Sequence, residues 1–221
     1  MTMEGNDATP GGNGLVSGRR APQWRRRALL DSAITEFSTY GIGGARVDRI
    51  AARASSNKAM VYHYFGSKED LYLAALQDIY GGIRSAEDRL QFDMADPRAA
   101  IRTLIEFTFR YYVDHPAFVR MINTENLHGA VHLSAAGDLP DLSRPIVAKV
   151  QAILDHGVAM GIFRPGIDAI DLYISISALG FTYVSNRHTL RVLFGRELLA
   201  TEAIDRRLET ITDMILRFVE A

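Results

Sequence analysis

No cysteine occurs among the 221 residues, which excludes disulfides, thiolate metal sites and a cysteine nucleophile and leaves nothing that calls for an oxidising compartment. Nor is there an apolar run of the roughly 18 to 20 residues that a membrane span needs. The expected partners therefore include no membrane, and the expected location is the cytoplasm. Glycine-rich phosphate loops, nucleophile elbows and acid–base pairs are missing too, so the sequence carries no enzyme signature and implies no cofactor. The first residues lack a basic start followed by an apolar stretch, which argues against a signal peptide. With Gly5, Pro10, Gly11, Gly12 and Gly14 among them, residues 1–18 are expected to form a disordered arm.

What is present is unevenly distributed. The net charge of −1 conceals a strongly basic segment: residues 19–68 hold ten Lys and Arg against Asp31, Glu36 and Asp48, a surplus of seven cations. Residues 69–221 are acidic in compensation. Such asymmetry fits a polyanion partner for the first part and a different task for the second, although a solvated charged face would give the same count.

Nearly every stretch beyond residue 21 has helical spacing. Leu29, Ala33 and Phe37 recur every four residues until Gly41, and a short stripe of Val47, Ile50, Ala51 and Ala54 follows. Asn57 is a suitable N-cap for a second short helix from Lys58 to about Tyr64, and Gly66 ends it. Ser67 and Asp70 approximate a capping box that opens a long helix toward Leu90. Further helices are expected from Pro97 to near His115 and from Phe118 to about His132. A loop is expected over 133–145, then a helix through Ile146, Val150 and Leu154. Ile170 to Val184 is apolar almost all round and fits a buried helix, although Ile174 and Ile176 alternating with serines leave a strand open. The last helix carries Ile204, Leu208, Ile211, Ile215 and Phe218 in a narrow seam that wants a partner. The fold class is thus all-α. A three-helix DNA-binding domain at 19–68 is followed by a larger helical domain at 69–221 for ligand binding and dimerisation.

Two short helices joined by a tight turn, both backed by a longer helix, form a helix-turn-helix, whose second helix enters the major groove of DNA. Val47–Ala54 followed by Asn57-Lys58-Ala59-Met60-Val61-Tyr62-His63-Tyr64-Phe65-Gly66-Ser67-Lys68-Glu69-Asp70-Leu71 resembles the signature of the TetR family of transcriptional regulators. The resemblance spans about residues 25 to 72. It implies that Asn57, Lys58 and Ala59 contact base edges and that Tyr62, His63 and Lys68 bind phosphates. It further implies that Arg46 offers a charged phosphate contact where a threonine is common. Arg19, Arg20, Arg25, Arg26 and Arg27 could add phosphate or minor-groove contacts. Ser55 stands where the family usually has a turn glycine and Ser56 where it usually has an apolar residue. The function so implied is a ligand-released repressor acting as a homodimer on palindromic double-stranded DNA.

In the second part, Phe107, Tyr111, Phe118, Met121 and Phe163 are candidates for an apolar effector pocket, with Asn123, Glu125 and His128 as its polar groups. Aromatic residues at such spacing would equally serve as core. Ile170–Val184 and the final helix are candidates for the dimer interface, or for intramolecular core. Glu125, His128 and His132 would share one face of an unbroken helix, so a metal-dependent sensor or enzyme built on these three is the alternative reading.

Overall fold

A computed structural model describes residues 20–134 and 139–221, so the expected arm at 1–18 lies outside the described residues. Eleven helices are present among them and every extended segment is short. The all-α expectation holds, and Ile170–Val184 lies within a helix, which closes the strand alternative.

Helix α1 (Arg20–Gly44) is the backing helix of the N-terminal part. Its inner face carries Leu29, Ala33 and Phe37, each without exposed surface. Gly41 interrupts its geometry with φ 65° and ψ 174°, an extended positive-φ conformation that is essentially reserved for glycine. Helix α2 (Val47–Arg53) packs on it, α3 (Lys58–Phe65) packs on α2 and on α4 (Lys68–Asp88), and α4 packs back along α1. The Ser67–Asp70 capping box forms in full: Asp70 N–H donates to Ser67 Oγ at 2.9 Å, and Ser67 N–H donates to Asp70 Oδ2 at 3.2 Å. Helix α4 continues as one element through Gly81 and Gly82.

The larger part comprises α5 (Pro97–Asp114), α6 (Pro116–Leu127), α7 (Val131–Ser134), α8 (Leu139–Ala159), α9 (Ala169–Ser185), α10 (Arg187–Phe194) and α11 (Thr201–Val219). Helix α5 is its axis. Ala100, Ile101, Leu104, Ile105 and Phe109 are buried along it, and it packs on α8, α9 and α11. Burial of each of the larger side chains, Ile101, Leu104, Ile105 and Phe109, stabilises by about 1.5–3 kcal/mol. Gly180 lets α9 approach α5 closely, since a Cβ there would meet the Phe109 ring at 3.3 Å.

A buried polar cluster joins α4 to α8 and α9. Glu87, 1% exposed, accepts from Tyr173 Oη at 2.6 Å and pairs with Arg84 at 2.5 Å, while Lys149 Nζ donates to the Glu87 and Asp88 carbonyls at 2.9 Å each. Burial, reinforced by the Glu87 charge, pushes the Tyr173 hydroxyl well above the usual tyrosine range, so it remains a donor.

Three expectations need correction. The helix beginning near Phe118 stops at Leu127 rather than about His132. Gly129 N–H bonds to Asn126 O, Ala130 N–H bonds to Glu125 O, and Gly129 and Ala130 both take positive φ. That closure ends a helix. Helix α8 begins inside the expected 133–145 loop and contains Pro145. Proline in a helix interior costs about 3 kcal/mol, which the burial of Ile146, Val150 and Ile153, each at most 1% exposed, offsets. Helix α10 was not expected. Leu190, Leu193 and Phe194 do recur at helical spacing, but over only eight residues, and the stripe faces outward, with Val192, Leu193 and Phe194 82%, 72% and 68% exposed.

The seam of α11 also behaves differently. Ile211 and Ile215 are buried in their own chain, where α11 packs on α5 and α9. Of the seam only Phe218 is exposed; beside it Met214 on α11 and Ile170 and Ile174 on α9 are exposed too.

Candidate nucleic-acid interface

Helix α3 has only eight residues, too few to be stable alone, and both its ends are closed by local bonds. The Asn57 side chain accepts from Met60 N–H at 3.0 Å, and Gly66, with φ 83°, returns its N–H to Tyr62 O at 2.9 Å. Val61 and Phe65 anchor the inner face at 0% and 8% exposure. Asn57, Lys58, Ala59, Tyr62 and His63 are all exposed, and Lys68 is half-buried at the start of α4. The structure therefore gathers these six predicted DNA contacts on and beside one outward face. The Lys58 ammonium stands 5.8 Å from the Tyr62 ring centroid. Amide, ammonium, phenol and imidazole groups on one rigid helix can meet both base edges and phosphate oxygens.

The turn before α3 has the geometry the sequence comparison implied. Ser55 adopts φ 50°. Its N–H bonds to Ala52 O and the Ser56 N–H to Ala51 O, a helix closure usually built on glycine.

What sets α2 against α1 is Glu36, which sequence reasoning counted only as one anion. Its carboxylate has no exposed surface. Oε1 accepts from Arg46 N–H at 3.1 Å and Arg49 Nε at 2.6 Å, and Oε2 lies 3.5 Å from the Arg53 guanidinium. Burial alone would raise its pKa. The Arg49 and Arg46 N–H hydrogen bonds and the two guanidinium charges outweigh that, leaving the group ionised below the ordinary glutamate value. Arg49 also donates to Gly44 O and lies over the Tyr40 ring.

The cationic surplus of this segment is accordingly smaller at its surface than the count suggests. Arg49 and Arg53 belong to Glu36, and Arg27 pairs with Asp31 and with Asp78 on α4. Arg46, a predicted phosphate contact, is exposed but forked onto Asp48 at 2.9 and 3.2 Å. Arg25 and Arg26 lie over the Trp24 and Phe65 rings. Arg19 and the side chain of Arg20 lie outside the described residues.

The predicted effector residues do not converge. Phe107, Tyr111 and Phe118 line a groove of about 820 Å³ bounded by α1, α4, α5 and α6. Met121 is buried in the core, and Phe163 is buried against Gly157, where any Cβ would overlap its ring. Asn123 and His128 are exposed.

Glu125 serves the chain itself. It is 1% exposed and accepts from the His132 and Leu133 N–H groups at 2.8 and 3.0 Å and pairs with His132 Nδ1 at 3.0 Å. Burial raises its pKa, and these bonds more than reverse that. His128 Nδ1 instead faces the Thr124 carbonyl at 2.7 Å. The helix break at Gly129 therefore separates the metal triad imagined from spacing. Among the described residues no three His, Cys, Asp or Glu are grouped to hold an ion. No helix among them is long and apolar enough to cross a membrane.

Comparison with known proteins agrees with this geometry. Residues 29–75 match the family described as bacterial regulatory proteins, tetR family, and residues 97–215 match the tetracyclin repressor-like C-terminal domain. The chain is 39% identical over 203 residues to the HTH-type transcriptional repressor NicS of Pseudomonas putida, covering 91% of this chain and 96% of that one. It is 28% identical to the HTH-type transcriptional regulator RutR of Escherichia coli K12, covering 89% and 91%. In three dimensions it resembles the putative transcriptional regulator SCO4942 from Streptomyces coelicolor. The TM-score is 0.65 at 24% identity, over 88% of this chain and 98% of that one, a likeness of fold.

Proposed function

The chain belongs to the tetR family of bacterial regulatory proteins, and we propose from that premise that it is a ligand-released repressor binding palindromic DNA as a homodimer. The observation that carries this reading is the outward face of α3. Five exposed side chains that can address DNA stand on a helix that is capped at both ends and backed by Val61 and Phe65. The 39% identical relative is named a transcriptional repressor, which favours repression over activation.

One helix of eight residues reads only a few base pairs, so two copies must act together. Recognition helices held about 34 Å apart, or a multiple of one duplex turn, read the two halves of a palindrome. The exposed Ile170, Ile174, Met214 and Phe218 on neighbouring helices supply an apolar face for the second copy. Contact between α9 and α11, fixed by Arg207 donating to Leu179 O at 2.8 Å, holds the two helices as one unit. The division of labour falls near Ser67, with DNA contact before it and effector binding and pairing after it. As a DNA regulator without a membrane-crossing helix among its described residues, it is assigned to the cytoplasm and to no catalytic role.

Selection of bound fragments from random duplex DNA tests the reading. A palindrome should be recovered, Lys58→Ala should weaken its retention, and sedimentation should give a dimer. Absence of any duplex preference at moderate salt would overturn the proposal.

A further inference from the structure

We propose that the groove between α1 and α4–α6 is itself an effector site, and that it takes a bulky organic monoanion with an apolar, aromatic-compatible body. The proposal rests on the reading of the chain as a ligand-released repressor and specifies the chemistry and place of release.

At about 820 Å³ the groove has the capacity of a drug-sized binding site. Its walls are apolar: Ile34 from α1, Ile79 from α4, Phe107 and Tyr111 from α5, and Phe118 at the start of α6. The Tyr111 and His115 rings are stacked, 3.9 Å between centroids and 11° apart, presenting a flat aromatic surface. Gly82 leaves room for the Tyr111 hydroxyl, which would lie 3.2 Å from a Cβ at that position.

The charges at the rim choose the sign of the guest. Asp78 is already neutralised by Arg27, and Arg110 by Glu106. Arg89 bonds only to the Ser85 hydroxyl at 2.7 Å, and the Arg120 guanidinium has no hydrogen bond or ion pair among the described residues. Asp114, exposed, is the opposing carboxylate. Two uncompensated guanidiniums against one carboxylate favour an anion, and the apolar walls demand a hydrophobic remainder.

The position explains why such a guest would matter for DNA. Ile34, Thr35, Ser38 and Thr39 of α1 form one side of the groove, and Glu36 of the same helix holds Arg46, Arg49 and Arg53 at α2. A molecule lodged there touches the helix that carries the reading head on one side and the effector-side helices on the other. Its differential affinity for two spacings of α1 against α4–α6 shifts the separation of the paired recognition helices.

The test uses the full chain with two fluorescent probes of matched body, anionic 8-anilinonaphthalene-1-sulfonate and neutral N-phenyl-1-naphthylamine. Arg89→Gln with Arg120→Gln should weaken the sulfonate about tenfold and leave the neutral probe unchanged. Ala86→Trp, which fills the groove, should abolish both. If that chain does not fold, Ala117→Phe blocks the groove from the opposite wall. Saturating sulfonate should lower affinity for a selected duplex at least about fivefold in the parent chain and not in the filled variant. Equal sulfonate binding by all variants, or groove-bound sulfonate without effect on DNA affinity, would overturn the proposal. Failure to bind any duplex without probe would instead sink the repressor reading, while the fluorescence arms still decide whether the groove accepts an anion.

Discussion

Glu36→Gln replaces the carboxylate between α1 and α2 with a neutral group of the same size. The amide oxygen can still accept from Arg46 N–H, now 3.1 Å from Oε1. What disappears is the charge that binds Arg49 at 2.6 Å and Arg53 at 3.5 Å. Removing one member of a fully buried ion pair costs about 3–5 kcal/mol. Here the guanidiniums are 41% and 45% exposed and recover hydration, so the loss is nearer ~2 kcal/mol. For a chain of this size that lowers Tm by about 4–8 °C.

The pH dependence identifies the cause. Glu36 titrates below the ordinary glutamate value of 4.5, so its stabilisation is complete above that value and is lost as pH falls through the lower, folded one. Thermal melts followed by circular dichroism should show a constant gap between parent and variant from about pH 7 to about pH 5. The gap should then close on further acidification. A gap that persists undiminished in acid, or none at neutral pH, would refute the assignment of an ionised strut.

Lys68→Ala should weaken binding to every duplex alike and reduce the slope of log affinity against log salt by about 0.9, measured by anisotropy across a salt series. Ser55→Gly should raise stability by about 0.5–1 kcal/mol in denaturant melts, because a residue at φ 50° loses its steric penalty. Ile174→Asp, placing a charge on a side chain 56% exposed in the single chain, should leave the protomer folded and turn dimer into monomer in sedimentation.

The helix-turn-helix was legible almost residue by residue because its determinants are local. The Asn57 cap, the Ser67–Asp70 box and the Gly66 stop each act within three or four positions of themselves. Even the departure at Ser55 carried forward as a positive φ. Glu36 was opaque for the opposite reason: its partners lie ten, thirteen and seventeen positions away, so nothing in local spacing distinguishes it from a surface anion. The same distance effect inflated the cationic count, since Arg27 is held by Asp78, fifty-one positions on. Between the end of α6 and the middle of α8 local signals divided: Gly129 does mark the close of α6. Pro145 reads as a breaker, yet contacts with α4, α5 and α9 keep α8 helical around it. The effector set divided because helical periodicity places Phe107 and Met121 on faces without saying whether a face meets a neighbour or a void, and Phe163 lies outside any helix, bridged to Glu220.

The closure of α3 at both ends has a thermodynamic consequence for DNA recognition. Because Asn57 and Gly66 hold the helix in the free protein, the duplex meets a finished surface, and little ordering entropy remains to be lost on association. Discrimination between sequences then resides in bond matching and in the spacing of two rigid heads, so control can be exerted by small rotations without unfolding any element.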